Sequence, residues 1–449
     1  MKSIVAGILL LLLAGCAPHQ QYRPDYAPCQ LADAGDRARC AGHSRQRVSV
    51  PGGDGYSLSF IEFDDQGSLW DRTQMSAALD TLAEDATRGE LLLVVFVHGW
   101  KHSAAPGDPN IETFRQVLQR ISANETYMAG LTGQPLRKVA GVYLGWRGGS
   151  VPLPWLENLT FWNRKKTAEK VGHGDVTEVL SRLEKLKRDR GSIDGDYGAV
   201  RLVVVGHSFG GLVVQTALSQ ILANRFVVTT GPDGVQGDVE NFGDLVVQIN
   251  PAFEAQLYAS LRDMSSERGT YFESQLPVLA ILTSEADNAT RYAFPAGRRV
   301  STLFEKTRQV ERWNGATQDY DSIDEGDANV TAVGHFRPYR THRLYPAQKG
   351  GDVSAMSPGE SLDAAMVAAR GWHNDAPGRR IPFGSLMLER EAGTAARNPY
   401  LVVYVDRAII PGHNEIDDPR VLEFVTQLIM ISTVPDERKA DLYRALRAN

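Results

Sequence analysis

The chain has 449 residues, 43% of them hydrophobic and 23% charged, so it can bury a sizeable core, as one long α/β unit or as several domains. Its formal net charge of −6 and pI near 6.0 give no support to nucleic-acid binding, which usually shows as a basic domain or stripe. There is no internal repeat and no long low-complexity tract.

The first residues read as an address. Lys2 supplies a positive charge, and residues 4–14 are an apolar run well short of the roughly 20 residues that span a bilayer. The run suits the h-region of a signal peptide. Leu13-Ala14-Gly15-Cys16 then resembles the bacterial lipoprotein box. The resemblance implies a signal peptide over 1–15, cleavage before Cys16, and acylation of Cys16 as a membrane anchor. Ala17 follows, with no acidic residue there. Under the sorting rule of some bacteria, that directs a lipid-anchored protein of the cell envelope to the outer membrane. The other two cysteines, Cys29 and Cys40, suit a disulfide in an exported chain, and two ligands do not make a zinc site. Residues 16–50 therefore read as a polar tether with a small stapled loop.

A catalytic domain is expected over 51–435, with a tail over 436–449. Leu58, Phe60 and Phe63 lie in a strand-like stretch, and Met75, Leu79 and Leu82 recur at helical spacing over 74–86. Leu91–Val97 is a continuous apolar run rich in Val, as expected for a strand buried on both faces of a parallel sheet. Ile111, Phe114, Val117, Leu118 and Ile121 form one helix face, and 139–144 is a second buried strand. Asp175 and Glu178 suggest a capping box for the helix that carries Val176, Val179, Leu180, Leu183 and Leu186. Further strands are expected over 200–205, Leu245–Ile249, 278–282 and 401–405, with a helix over 212–222. Asp418-Pro419 reads as an N-cap with proline at the first position of a last helix, lined by Val421, Phe424, Val425, Leu428 and Ile429. Strands alternating with amphipathic helices predict a mostly parallel sheet with helices on both faces. Two stretches, 147–174 and 288–399, break the alternation and are expected to be insertions on the sheet, either as cap-like covers of the active site or as surface loops.

The strongest chemical signal is Val203-Val204-Val205-Gly206-His207-Ser208-Phe209-Gly210-Gly211, a G-x-S-x-G between a buried strand and an apolar helix. A turn sharp enough to lift the serine above the sheet leaves no room for side chains at Gly206 and Gly210. The helix after it points its N-terminal amides at the reaction site, which favours developing negative charge.

The segment resembles the nucleophile elbow of the α/β-hydrolases, and the resemblance covers most of 56–435. It implies an α/β-hydrolase fold with Ser208 as nucleophile, an acid after a later strand, and a histidine near the end. His98-Gly99-Trp100 looks like the superfamily's oxyanion loop, which implies the N–H groups of Trp100 and Phe209 as donors, with His98 shaping the loop rather than holding a metal with His102. His413, just after the last strand, fits the general base better than His335, His342 or His373, which fall inside the irregular stretch. Asp287, after the strand over 278–282, fits the acid. Glu285, Glu254 and Asp406 are the alternatives.

These positions predict a serine hydrolase, an esterase or lipase, that cleaves carboxylic esters through an acyl-enzyme. Its substrate would be a small-molecule or lipid ester, and its contact with the membrane would run through Cys16. No metal or organic cofactor is implied. Trp146, Trp155, Phe161 and Trp162 suit either an apolar acyl pocket or packing under a loop. Acyl transfer and phospholipase chemistry would use the same machinery. A non-catalytic envelope lipoprotein on the same scaffold is the reading from another class, but it would have no need of a complete set of Ser, acid, His and oxyanion positions.

Overall fold

A computed structural model of the chain describes residues 18–434, apart from 34, 51–52, 150–153, 195–198, 231–235, 349–355 and 375–379. The expected signal peptide, Cys16, the tail over 436–449 and the side chain of Trp155 lie outside the described residues.

In chain order the strands are β1 (Asp25–Leu31), β2 (His43–Val50), β3 (Gly53–Glu62), β4 (Leu91–Val97), β5 (Lys138–Gly145), β6 (Val200–His207) and β7 (Leu245–Ile249). They continue with β8 (Leu279–Ser284), β9 (Gln309–Asn314), β10 (Asp319–Asp324), β11 (His342–Pro346), β12 (Arg380–Phe383), β13 (Leu386–Arg390) and β14 (Tyr400–Val405). The longer helices are α1 (Arg72–Thr87), α2 (Pro109–Thr132), α3 (Pro154–His173), α4 (Val176–Asp194), α5 (Phe209–Val228), α6 (Ala259–Arg268), α7 (Phe294–Ser301), α8 (Pro358–His373) and α9 (Pro419–Thr433).

Twelve strands share one sheet in the order β1-β2-β3-β5-β4-β6-β7-β8-β14-β11-β13-β12, while β9 and β10 pair separately. From β3 to β11 every neighbouring pair is parallel. The central strand β4 shows why. All seven of its residues are apolar and buried, and successive side chains point to opposite faces. Leu91, Leu93, Val95 and Val97 meet α1, α3, α4 and α5 on one face. Leu92, Val94 and Phe96 meet α2, α8 and α9 on the other. Each such side chain, fully buried, contributes about 1.5–3 kcal/mol. The sheet is therefore doubly wound and mostly parallel, with the serine turn after β6 near its centre.

The expected central strands are present, with ends moved by one or two residues. Asp418 caps α9 by accepting from the Arg420 N–H, with Pro419 at the first helical position. Three expectations need correction. The 16–50 stretch is not a tether throughout, because β1 and β2 extend the sheet beyond β3. Ahead of them Arg23 is buried over the Phe60 ring, at 4.2 Å, and Glu62 accepts the N–H groups of Tyr22 and Arg23. The disulfide Cys29–Cys40 then ties β1 to the turn before β2. Second, 288–399 is not simply an insertion on the sheet, since β11, β13 and β12 carry the sheet on past β14. Third, the acids of the expected capping box are used elsewhere. Asp175 accepts from the Leu69 N–H at 2.9 Å, and Glu178 pairs with Arg72 and Arg182.

Candidate active site

The turn from β6 into α5 carries Ser208 at φ 55° and ψ −120°, a region that non-glycine residues occupy at a cost of about 1–3 kcal/mol. Surrounding contacts hold it there. The Ser208 N–H donates to Ile249 O at 3.0 Å, and Ser208 O accepts from the Ala252 N–H at 3.1 Å. Glycine is required on either side. A Cβ on Gly206 would lie 2.7 Å from Gly210 O, and one on Gly210 only 2.0 Å from Val97 O.

Three loops, after β6, β8 and β14, converge on one chain of hydrogen bonds. His413 Nδ1 lies 2.8 Å from Asp287 Oδ2, and His413 Nε2 lies 2.7 Å from Ser208 Oγ. With Nδ1–H donated to the carboxylate, Nε2 accepts the serine proton. The Asp287 side chain is wholly buried, and that of His413 is 17% exposed. Burial alone would raise the Asp287 pKa. The bond and charge of His413, with the Thr290 hydroxyl at 2.5 Å and the Thr290 N–H at 3.1 Å, outweigh it and hold the carboxyl below its ordinary value.

Several residues that the motifs did not flag brace this chain from behind. Asn250 Nδ2 donates to Gly412 O at 3.1 Å and His413 O at 3.0 Å, and Asn250 Oδ1 accepts from the Ser284 N–H at 2.9 Å. The Ser284 hydroxyl donates to Ile410 O at 2.5 Å. His207 Nε2 lies 3.0 Å from His413 O and can only donate there; burial and the neighbouring His413 push its pKa down to about 3, so the ring stays neutral. Thr290, having given its proton to Asp287, accepts from His335 Nε2 at 3.0 Å. The only sequence hint was Asn250-Pro251, a turn dipeptide at a strand end.

The alternative acids face elsewhere. Glu285 pairs with Arg407 at 2.7 Å, Glu254 with Lys165 and Arg298, and Asp406 accepts from the Ala408 N–H. Among the other histidines, His342 bonds Thr341 and His373 bonds Glu273 O.

The loop His98-Gly99-Trp100 presses against the serine, since a Cβ on Gly99 would sit 2.8 Å from Ser208 Cβ. His98 is fully buried and stacked on Trp146 with rings 5.5 Å apart. Its Nε2 accepts from the Trp146 N–H at 3.0 Å, and its Nδ1 lies 2.9 Å from Gly99 O. Burial lowers its pKa to about 4, which keeps both bonds. Its role is to shape the loop; His102 is engaged by Asp108 at 2.9 Å. As the first residue of α5, Phe209 has no acceptor for its N–H within the helix. The Ser208 N–H is already used by Ile249 O. Trp146 is packing under His98. Phe161 instead lies 5.3 Å from the Trp100 ring and 4.8 Å from the Phe209 ring, with Trp162 beside it at 5.2 Å. A cavity of about 970 Å³ lies elsewhere, lined by Tyr258, Arg262, Tyr339, Arg340 and Arg390 among others and by none of Ser208, Asp287 and His413.

No protein-family model matches the chain, and no curated protein matches it either. Among solved structures, phospholipase PlaB from Legionella pneumophila is similar at a TM-score of 0.24 and 14% identity, over 59% of this chain and 48% of the phospholipase. The same phospholipase in complex with thio-NAD gives 0.23 and 14%, over 43% and 38%. A Trichoderma reesei cutinase in complex with a phosphonate inhibitor gives 0.18 and 13%, over 48% of this chain and 78% of the cutinase. The chain spans less than half the length of the phospholipase it matches. Likenesses this slight carry no weight beside the geometry of the chain itself.

Proposed function

We propose that the protein is a serine hydrolase that cleaves carboxylic esters through an acyl-enzyme. Ser208 Oγ attacks the acyl carbonyl while His413 Nε2 takes its proton; the alcohol leaves with that proton, and water repeats the cycle to release the acid. Asp287 holds the imidazole in the required tautomer and stabilises the imidazolium. The N–H groups of Trp100 and Phe209 receive the oxyanion, an interaction whose loss typically costs about 10²–10³ in rate.

One observation carries this reading: Ser208, His413 and Asp287 form an unbroken chain of 2.7 Å and 2.8 Å contacts across three separate loops. A packing role for these residues would not call for that alignment, nor for a serine held in a strained turn. The proposal includes an esterase or lipase acting on small-molecule or lipid esters, with acylation at Cys16 anchoring it to the cell envelope, at the outer membrane.

A panel of p-nitrophenyl esters of rising acyl length tests it. Turnover should fall roughly 10⁴-fold or more in Ser208→Ala with the fold intact. Absence of turnover on every ester, or a Ser208→Ala protein as fast as wild type, would remove the proposal.

A further inference from the structure

Just past Asp287 the chain exposes apolar side chains that a soluble surface has no use for. Tyr292 is 60% exposed, Val300 79%, Leu303 73% and Phe304 94%. The last three are the most exposed large apolar side chains among the described residues. Val300 lies in the last turn of α7, and Leu303 and Phe304 lie in the turn that follows it. The opposite side of α7 is anchored, with Phe294 and Pro295 buried and the Phe294 ring 5.8 Å from Trp162.

The exposed charges of this tip are mostly cationic. Arg291, Arg299, Lys306 and Arg308 are all exposed, with Arg308 paired to Glu325 at 3.5 Å. The exposed acid among them, Glu305, accepts from Asn329. Arg298 is turned inward, 2.7 Å from Glu254. The result is an exposed apolar knuckle flanked by cations, and Arg291, Tyr292 and Arg299 also line a cavity of about 390 Å³ beside it.

We propose that residues 292–308 form a docking tip that inserts Val300, Leu303 and Phe304 into an anionic lipid surface. Apolar side chains that stand clear of the fold gain most by entering the acyl boundary of a bilayer, while Arg and Lys beside them meet anionic headgroups. The position suits a purpose. Trp162 joins the tip to Phe161, which packs on Trp100 and Phe209 beside Ser208, so a docked tip sets the serine's aromatic surroundings close to the lipid. This surface is separate from any acyl group at Cys16 and does not depend on the ester chemistry.

The test compares partition of two full-length proteins into vesicles of phosphatidylcholine alone and of phosphatidylcholine mixed with phosphatidylglycerol. Both carry Cys16→Ser so that no acyl chain anchors them, and residues 1–15, present in both, cannot produce a difference. Against this background the triple change Val300→Ser, Leu303→Ser and Phe304→Ser should weaken partition into anionic vesicles by about tenfold or more. Arg299→Gln with Lys306→Gln should cause about a tenfold loss on anionic vesicles and little change on neutral ones. Melting temperature and the rate on a soluble acetate ester should stay at wild-type values, and Phe304→Ser alone serves should the triple variant misfold. Ser208→Ala should bind vesicles as well as wild type does. A protein that hydrolyses no ester yet binds through the tip would sink the ester reading and leave this one standing. A protein that ignores anionic vesicles, or a tip variant that binds them as wild type does, overturns the docking proposal and assigns the knuckle to a protein contact.

Discussion

Asn250, at the end of β7, grips the backbone of His413: its amide nitrogen donates to His413 O at 3.0 Å while its amide oxygen receives the Ser284 N–H at 2.9 Å. One side chain thereby ties the loop that carries the imidazole to the end of the strand that leads to Asp287. It does so from a strained backbone, at φ 45°. A displacement of about 1 Å in a reacting group can cost about 10²-fold in rate.

Asn250→Ala should therefore lower kcat on a soluble ester by about 10–100-fold with little change in KM. Steady-state kinetics decide it. An unchanged kcat would mean that the 410–413 loop holds its place without Asn250.

The elbow makes a steric prediction. Gly210→Ala places a methyl group 2.0 Å from Val97 O, against backbone that cannot swing aside. Overpacking of this kind typically costs about 1–3 kcal/mol, sometimes more, and here it must also displace the serine. Loss of both activity and several degrees of melting temperature is expected. A Gly210→Ala protein that melts and turns over like wild type would contradict the packing described.

Why some of this was legible in the sequence and some was not follows from what each segment hides. β4 could be read because a parallel strand buried on both faces is continuously apolar, and β7 because only Gln248 interrupts its apolar run. Ser208 was legible because strand, tight turn and helix each leave their own mark. β2 was not, since the inward Ser44 and Gln46 are polar; Gln46 is satisfied by Cys40 O and Arg115. β1 carries Pro28, which suits only an edge strand, and an edge is where it lies. α8 has a capping box, Ser357 with Glu360, but the Gly-, Asp- and Arg-rich stretch around it hides the helical period. Beyond the turn dipeptide Asn250-Pro251, the bracing by Asn250, His207 and Thr290 could not be read, because it depends on loops brought together only by the sheet.

Acid should loosen the fold through histidines. Burial lowers the pKa of His98 and His335 to about 4 and of His207 and His342 to about 3. An unfolded histidine titrates near 6.5, so below that pH the unfolded chain binds more protons than the folded one. Stability is then full above about pH 6.5 and falls as pH drops toward 4, by about 1.4 kcal/mol per unit for each histidine involved. Asp287, held below its ordinary value, adds a further loss only at more acid pH, as it protonates. Thermal melting between pH 8 and 4 checks this, and a flat profile would refute it.

The disulfide makes a smaller, local prediction. Cys29 and Cys40 lie 11 residues apart and tie the edge strand β1 to the turn before β2. Closing so short a loop is worth about 2–3 kcal/mol. Cys29→Ser with Cys40→Ser should lower stability by about that much and leave kcat unchanged, because this edge of the sheet is remote in strand order from β6, β8 and β14. Denaturant unfolding beside kinetics measures both, and a large fall in kcat would show the edge to be coupled to the site.

The alignment of Ser208, His413 and Asp287 is tested most directly by labelling with a fluorophosphonate and mapping the adduct by peptide mass. The account predicts one adduct, on the peptide containing Ser208, formed far more slowly in His413→Ala and in Asp287→Asn and absent in Ser208→Ala. An adduct on another residue, or labelling of Ser208→Ala at the wild-type rate, would contradict it.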